Sequence, residues 1–230
     1  MNRKNIILVG CLSLFLVVCS SQKSKSFFRE SGSFIYALFK NPTRIGAVAP
    51  SSSYLAKAIV KNIEKKDRPL KILEVGAGTG SFTEKIIQKM DQQDLLDVVE
   101  LDASLCDILR KKFGEHKNVT IHCMSVLDFN ADTSYDFIIS GLPFNVFASD
   151  LVYSIVDKYK RLIKSNGIIS YFEYMFAANI KKIFLFGNRK VDFIKNMTIL
   201  ADFRREFLIE KNRVFFNFPP AYAYHLQIKK

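Results

Sequence analysis

The sequence predicts an α/β protein with a doubly wound sheet that is mostly parallel, and two patterns support this. Short apolar runs typical of buried strands alternate with segments of helical periodicity between Leu70 and Tyr174. The first of these runs leads into the glycine-rich stretch Gly76 to Gly80, where the backbone can turn tightly before a helix. With 230 residues, 49% of them hydrophobic and 24% charged, the chain suits one globular domain with an appendage.

The individual elements follow from periodicity and turn residues, and the tail is expected to close the sheet as an antiparallel hairpin made from Asp202–Ile209 and 217–228. The expected helices are Tyr54–Ile63, Phe82–Met90, Ser104–Phe113 and Ser149–Ile163. The other expected strands are Leu70–Val75, Leu95–Leu101, Val119–Met124, Tyr135–Ser140 and Gly167–Tyr174.

Two acidic residues accompany the glycine-rich stretch. Glu74 stands near the end of the first strand, and Glu100 stands near the end of the second. Main-chain N–H groups at the start of a helix bind polar or anionic ligands, and a carboxylate after the second strand can accept both hydroxyls of a ribose. The pattern therefore indicates a nucleoside-containing cofactor, although NAD sites and plain tight turns also carry glycines at this spacing.

The run Glu74-Val-Gly-Ala-Gly-Thr-Gly80, taken with Glu100-Leu-Asp102, resembles the class I S-adenosylmethionine-dependent methyltransferases. The form is that of the rRNA adenine dimethylase-like branch and of the bacterial phospholipid N-methyltransferases. The resemblance implies a Rossmann-like methyltransferase sheet and S-adenosylmethionine as cofactor. It also implies a set of cofactor-binding residues: Glu74, Gly76, Ala77, Gly78, Gly80, Glu100, Leu101, Ser125, Val126 and Ser140.

One of these positions departs from the family pattern. Related dimethylases carry Asp-Ala where this chain has Ser125-Val126, and a serine accepts a hydrogen bond from the adenine amine less strongly than a charged carboxylate. Asp128 is the alternative acceptor on this part of the chain.

The acceptor side resembles the phospholipid enzymes more than the adenine enzymes. Adenine N6-methyltransferases hold the target amine with an Asn or Asp at the position of Gly141, and glycine has no side chain with which to do so. The segments Asn41–Ser52 and Asn217–Ala221 resemble phospholipid N-methyltransferases as well. The resemblance implies that the head-group amine of phosphatidylethanolamine is methylated towards phosphatidylcholine, beside Gly141, Leu142, Pro143 and Phe144.

The sequence contains no obvious general base. Tyr171 and Tyr174, near the end of the fifth strand, are the candidates, and a phosphate oxygen of the lipid is a third. Aromatic faces at Phe144 and in this strand could also hold a growing quaternary cation. Two other functions stay open: an rRNA adenine N6-dimethyltransferase-like enzyme, and an exported lipoprotein with a degenerate methyltransferase fold.

The amino-terminal part is basic. Residues 1–71 hold 13 Lys/Arg and 3 Asp/Glu, which accounts for most of the net charge of +12. Such an imbalance favours an anionic membrane surface, although nucleic acid or a solvated face would also explain it. We expect residues 1–22 to be an apolar leader, residues 23–44 to be a basic amphipathic helix on the membrane, and residues 45–230 to be the methyltransferase domain.

The leader sets the expected location. Its apolar run, Ile6–Cys19, resembles a secretory signal and is shorter than a membrane-spanning helix. Because S-adenosylmethionine is made in the cytosol, we expect the cytoplasmic face of the bacterial inner membrane. Export, or lipoprotein processing at Cys11, remains the alternative.

The cysteines and histidines predict no metal site. Cys11, Cys19, Cys106 and Cys123 form no C-x-x-C pair, and the three histidines are scattered. We therefore expect neither a metal nor a disulfide framework.

Overall fold

The structure is a computed structural model that describes residues 51–144, 147–175, 188–217 and 219–229. The side chains of residues 188–190 are not described. The expectations for residues 1–22 and 23–44, and for the Asn41–Ser52 motif up to residue 50, lie outside these ranges. Within them, no helix is both long enough and apolar enough to cross a membrane.

The described part of the chain contains a seven-stranded sheet in the order β3-β2-β1-β4-β5-β7-β6. The first five strands are parallel, whereas β7 pairs antiparallel with both β5 and β6. This is the α/β Rossmann-like arrangement with an antiparallel carboxyl-terminal pair that the sequence predicts. The strands are β1 (Lys71–Val75), β2 (Leu95–Glu100), β3 (Val119–Cys123), β4 (Tyr135–Ser140), β5 (Ile163–Tyr174), β6 (Leu208–Val214) and β7 (Ala221–Ile228).

Five described helices cover the two faces of the sheet. One face packs against α1 (Ser53–Ile59), α2 (Ser81–Ile87) and α3 (Ala103–Phe113). The other packs against α4 (Ser149–Leu162) and α5 (Asn188–Phe207). The inner strands are apolar on both faces because each face is covered, which is the usual condition of a parallel sheet. The carboxyl ends of β1, β2, β4 and β5 consequently meet at one edge, where such sheets bind ligands.

The prediction for the tail is wrong in part. Asp202–Phe207, expected to be strand, forms the last turns of α5, and the hairpin is made by β6 and β7. The buried residues of α5, Phe193, Asn196, Leu200 and Phe203, recur every three to four residues. This helical period extends over the whole of α5, and the short segment 202–209 is too brief to display it. Elsewhere the expected bounds are met closely, except that α1 ends at Ile59 and β5 begins at Ile163.

The expectation of no disulfide is also wrong. Cys106, which is fully buried in α3, is bonded to Cys123, the exposed last residue of β3, with 5.9 Å between the Cα atoms. Helix α3 is the crossover between the parallel strands β2 and β3, and its packing beside β3 brings together two residues that are 17 positions apart in sequence. A contact between residues this far apart in sequence is not indicated by any local cysteine motif.

Candidate cofactor and acceptor site

The glycine loop after β1 has a backbone that only glycine adopts easily. Gly76, Gly78 and Gly80 have φ angles of 72°, 58° and 89°. A Cβ atom at Gly76 would lie 2.5 Å from Cδ2 of Leu142, and one at Gly80 would lie 2.4 Å from Cε2 of Phe113. The loop is therefore held against the end of β4 on one side and against α3 on the other.

Glu100 lies at the end of β2, directly beside this loop, and is mostly buried. Its Oε2 accepts a hydrogen bond from the N–H of Gly78 at 2.9 Å. Its Oε1 accepts from the N–H groups of Leu101 at 2.8 Å and Asp102 at 3.0 Å. A carboxylate accepts about four hydrogen bonds. One ribose hydroxyl can thus join as the structure stands, and a second would require Gly78 to release Oε2.

An apolar rim surrounds the expected adenine position. Leu101 is 69% exposed, and Met124 and Leu127 are exposed nearby. The N–H of Met124 donates to the carbonyl of Glu100 at 3.0 Å, which ties the end of β3 to the end of β2. Met124 and Leu127 were not identified from the sequence, although exposed apolar residues after a strand are a usable signal for a planar ligand.

The two residues expected to contact adenine differ in exposure. Ser125 is partly exposed, but its Oγ accepts from the N–H of Leu127 at 3.2 Å and so helps to close a turn. Val126 is buried and belongs to the hydrophobic core. Ser125 remains accessible to a ligand, whereas the Val126 side chain supports the turn from below.

Glu74 is completely buried in β1, beneath the glycine loop. Neither of its carboxyl oxygens has a hydrogen-bond partner in the described residues, and the same is true of the Oγ1 of neighbouring Thr83. Burial raises the pKa of Glu74 to about 8, and the hydroxyl and N–H of Thr83, at the start of α2, oppose the rise although neither makes a hydrogen bond of normal geometry to the carboxyl group. A buried carboxyl group without a hydrogen-bond partner is unusual in a folded protein, so Glu74 is a candidate to bind a ligand.

These groups fit S-adenosylmethionine. The glycine loop offers main-chain donors at the start of α2, Glu100 offers an acceptor for the ribose, and the apolar rim offers a surface for the base. The methionine part of the cofactor carries a positive ammonium group and the sulfonium, and the unpartnered Glu74 carboxyl can supply the matching negative charge.

Gly141, at the expected acceptor position, touches the glycine loop itself. Its N–H donates to the carbonyl of Val75 at 2.8 Å. A Cβ atom built at Gly141 would lie 2.3 Å from the carbonyl oxygen of Gly76. Any other residue at position 141 would therefore have to displace backbone, so the asparagine or aspartate of an adenine enzyme does not fit here.

The structure places the remaining predicted acceptor residues at two depths. Leu142 and Pro143 are half-buried at the site, but Phe144 is buried in the core against Tyr159 and Tyr171, so its face is not free for a cation. The side chain of Ser140, expected to touch the cofactor, is fully buried and accepts a hydrogen bond from Tyr159 Oη at 3.0 Å. Neither side chain is therefore free to contact a ligand, and the assignment of the two residues to the site stays a prediction.

Tyr171 belongs to an internal polar cluster. Arg204 of α5 donates to Tyr171 Oη at 3.0 Å, is ion-paired with Glu173, and lies 4.8 Å from the ring centre of Tyr224. Burial raises the phenol pKa of Tyr171 well above its ordinary value. Tyr171 is thus unsuited to act as a base near neutral pH, which corrects the expectation from sequence.

Tyr174 is better placed, but its phenol also stays protonated near neutral pH. It lies at the end of β5, half-buried, with its ring against Phe172. Burial raises its phenol pKa too. Neither tyrosine candidate therefore combines access with a suitable acidity.

Helix α5 holds the loop that follows β4, and this role was missed by sequence reasoning. The buried Asn196 donates through Nδ2 to the carbonyls of Phe144 at 3.1 Å and Phe147 at 2.8 Å. One turn earlier, Asp192 accepts from the N–H and hydroxyl of Ser149 at 3.3 and 3.0 Å, which caps α4. Because α5 is distant in sequence from the loop, no local motif marks these residues.

Comparison with known proteins finds similarity to methyltransferases. Residues 72–167 match the family model described as a methyltransferase domain. The chain is 29% identical over 149 residues to the ornithine lipid N-methyltransferase of Singulisphaera acidiphila, covering 62% of this chain and 75% of that protein. It is 32% identical over 143 residues to the ribosomal RNA small subunit methyltransferase A of Malacoplasma penetrans, covering 60% of this chain and only 50% of that protein.

Among solved structures, the N-methyltransferase NodS of Bradyrhizobium japonicum, in complex with S-adenosyl-L-homocysteine, superposes with a TM-score of 0.59 at 14% identity. The match covers 87% of this chain and 98% of NodS, and at this identity it concerns the fold. The family model and the named relatives are all methyltransferases. The chain therefore carries a methyltransferase domain, and its cofactor is S-adenosylmethionine.

Proposed function

We propose that this enzyme transfers methyl groups to the amine of a membrane-lipid head group, with phosphatidylethanolamine as the substrate. Methylation would proceed towards phosphatidylcholine at the cytoplasmic face of the bacterial inner membrane. The basic amino-terminal region, residues 1–44, would contact anionic lipid there.

The observation that carries this proposal is the contact between Gly141 and Gly76. The 2.3 Å separation between a Cβ at position 141 and the Gly76 carbonyl excludes an amide or acid side chain that would hold the planar amine of adenine. A flexible primary amine on a lipid needs no such in-plane partner. The similarity to an enzyme named for ornithine lipid, another amine-bearing lipid, supports the same substrate class.

The cofactor supplies an activated methyl group on sulfur. The amine must therefore arrive neutral, and its nitrogen lone pair forms the new N–CH₃ bond as the S–CH₃ bond breaks. Positioning contributes most of the rate in such an in-line displacement. The half-buried backbone at Gly141, Leu142 and Pro143, held from behind by Asn196, would form the wall that positions the amine.

The head-group ammonium has to lose a proton before transfer. Burial raises the pKa of both Tyr171 and Tyr174, and Glu173 is ion-paired with Arg204. These groups are poor proton acceptors, so we assign the proton to the lipid phosphate oxygen or to water. The rate should accordingly rise with pH through the titration of the amine.

The test is methyl transfer from radiolabelled S-adenosylmethionine to anionic liposomes that contain phosphatidylethanolamine. Wild type is compared with Gly78→Arg and Glu100→Ala, which alter the loop and its carboxylate partner. Asp107→Ala, an exposed position on α3, is the matched control. We expect label in mono- and polymethylated lipid with wild type and the control, and loss of label in both site variants.

Ribosomal particles form the second arm of the same test, because one relative is named as a ribosomal RNA methyltransferase. Cofactor binding is measured separately by calorimetry. Label in RNA but not in lipid, with intact cofactor binding, would refute the lipid substrate. Absence of cofactor binding would instead favour an exported protein with a degenerate methyltransferase fold.

A further inference from the structure

A small aromatic surface stands beside the acceptor edge. We call it the aromatic tip, and it consists of Tyr54 on α1 together with Phe215 and Phe216 in the β6–β7 turn. These side chains are 58%, 64% and 77% exposed, and the rings of Tyr54 and Phe216 lie 5.3 Å apart. Two consecutive phenylalanines with this exposure are costly in water, which makes the tip a candidate contact surface.

The tip is held firmly in place. The buried Asn217 accepts from the N–H of Ser52 at 3.0 Å and donates to the carbonyl of Pro219 at 2.7 Å. The N–H of Met175 donates to the carbonyl of Pro220 at 2.8 Å. These bonds join the start of α1, the end of β5 and the hairpin turn, so the aromatic rings project from a built platform.

Sheet register places this platform at the acceptor edge. Tyr174, the last residue of β5, pairs with Ala221, the first residue of β7. The turn that precedes Ala221 therefore lies past the carboxyl end of β5, the same end at which Gly141 follows β4. A surface in contact with the tip would lie next to the mouth of the acceptor site.

The charge around the tip is mainly positive. Segments 51–63 and 211–222 contain Lys57, Lys61, Lys211 and Arg213 and no acidic residue, although Lys61 is ion-paired with Glu210, just before the second segment. Lys57 and Arg213 are exposed, and Lys57 stands one helical turn from Tyr54. Exposed aromatic rings flanked by cations match the interface of an anionic bilayer, where rings enter the head-group region and cations meet lipid phosphates.

We propose that the aromatic tip inserts into the interface of an anionic bilayer and docks the acceptor edge against it, so that a lipid head group reaches the site from the membrane side. This proposal rests on the proposed lipid substrate and adds the surface through which that substrate enters. Two other occupants of the tip, the chain's own residues 1–50 and a second copy of the chain, are outcomes of the test below.

The sequence contains no tryptophan, so a single substitution gives a specific probe. In Phe216→Trp the only indole sits at the tip. In Tyr153→Trp, the matched control, it sits at a 64% exposed position on α4. Emission is recorded with full-length protein, with and without vesicles of phosphatidylethanolamine and phosphatidylglycerol, and with vesicles whose acyl chains carry bromine.

We expect the indole emission of the F216W protein to be that of a solvent-exposed indole in buffer, to shift to the blue when vesicles are added, and to be quenched by brominated lipid. The emission of the Y153W protein should show neither the blue shift nor the quenching by brominated lipid. Unchanged F216W emission while the protein co-sediments with vesicles would overturn the proposal. Emission of the F216W protein that is already shielded from water in buffer would also overturn the proposal. If that shielding is independent of protein concentration, residues 1–50 cover the tip; if it depends on concentration, a second copy of the chain covers it.

A second measurement separates this proposal from the proposed function. Phe215→Ser/Phe216→Ser removes the rings from exposed positions and should weaken vesicle partitioning by about tenfold or more. Methylation of phosphatidylethanolamine dispersed in detergent micelles should be unchanged in this variant. Equal partitioning of variant and wild type would refute the docking surface, whereas no methylation in micelles by either protein would refute the lipid substrate alone.

Discussion

Glu74 is the group whose replacement tests the site most directly, because its carboxyl is buried without a partner. Burial raises its pKa from an ordinary value of 4.5 to about 8. At about 1.4 kcal/mol for each tenfold change in the proton equilibrium, ionising Glu74 in the cofactor-free fold costs on the order of 5 kcal/mol. Glu74→Gln keeps the shape and removes the titration.

The sign of the pH effect follows from proton linkage. Below pH 4.5 both the folded and the unfolded chain hold the proton. Between pH 4.5 and about 8 the unfolded chain has released it and the folded chain has not, so the free energy of unfolding falls as the pH rises. The wild type should therefore lose stability across this window relative to Glu74→Gln.

The assay is urea unfolding of both proteins without cofactor at several pH values from about 5 to 9. The other titrating groups are shared, so the difference between the two proteins isolates Glu74. We expect this difference to grow in favour of Glu74→Gln by about 4–5 kcal/mol over the range. Glu84→Gln, at an exposed position on α2, should give a flat difference. A pH-independent difference for Glu74→Gln would refute the reasoning.

Cofactor binding should convert Glu74 from its protonated form to the carboxylate. The positive charges of S-adenosylmethionine favour the carboxylate, so binding near neutral pH should release up to about one proton from wild type and none from Glu74→Gln. Calorimetry in buffers of different ionisation enthalpy measures this number. Equal proton release by the two proteins would mean that Glu74 does not face the cofactor.

Four further predictions concern other parts of the fold. Burial lowers the pKa of His225 to about 4, so as the pH falls from 6.5 to 4 the wild type should lose about 3 kcal/mol of stability that His225→Gln does not, as urea unfolding would show. Asn196→Ala should lower the rate of methyl transfer about tenfold and leave the cofactor affinity unchanged, because it releases the loop after β4 but touches no cofactor residue. Equal losses of rate, measured by kinetics, and of cofactor affinity, measured by calorimetry, would contradict this. Gly80→Ala should destabilise the protein by about 2–4 kcal/mol in thermal unfolding, because its φ is positive and its Cβ meets Phe113. Cys106→Ser should lose about 3 kcal/mol, the value for a loop of this length, and dithiothreitol should reproduce the loss in wild type but not in the variant.

Much of this fold was predictable because its signals are local. The alternation of apolar strands with helical periods identified all five parallel strands. For β4 the predicted range, Tyr135–Ser140, is the same as the observed one. The positive φ angles of the glycine loop and the position of Glu100 beside it also follow from a short stretch of chain. Backbone conformation and side-chain alternation depend on near neighbours, so a sequence displays them directly.

Other features depend on which distant segments meet. The Cys106–Cys123 bond, the hold of Asn196 on the loop after β4 and the enclosure of Tyr171 by Arg204 each join residues far apart in the chain. Tyr171 illustrates the consequence. From sequence it was a candidate base at the end of a strand, whereas packing of α5 buried it and raised its pKa.

The sequence by itself determined the class of fold, the glycine loop and the position of the Glu100 carboxylate beside it, since these rest on backbone geometry within one βαβ unit. The tertiary structure decided which of the candidate side chains are free. It buried Ser140, Phe144 and Tyr171, left Glu74 without a partner, and brought Gly141 against Gly76 closely enough to exclude a side chain there. Burial and contact are properties of the packed chain, because they are set by elements that approach one another only after folding.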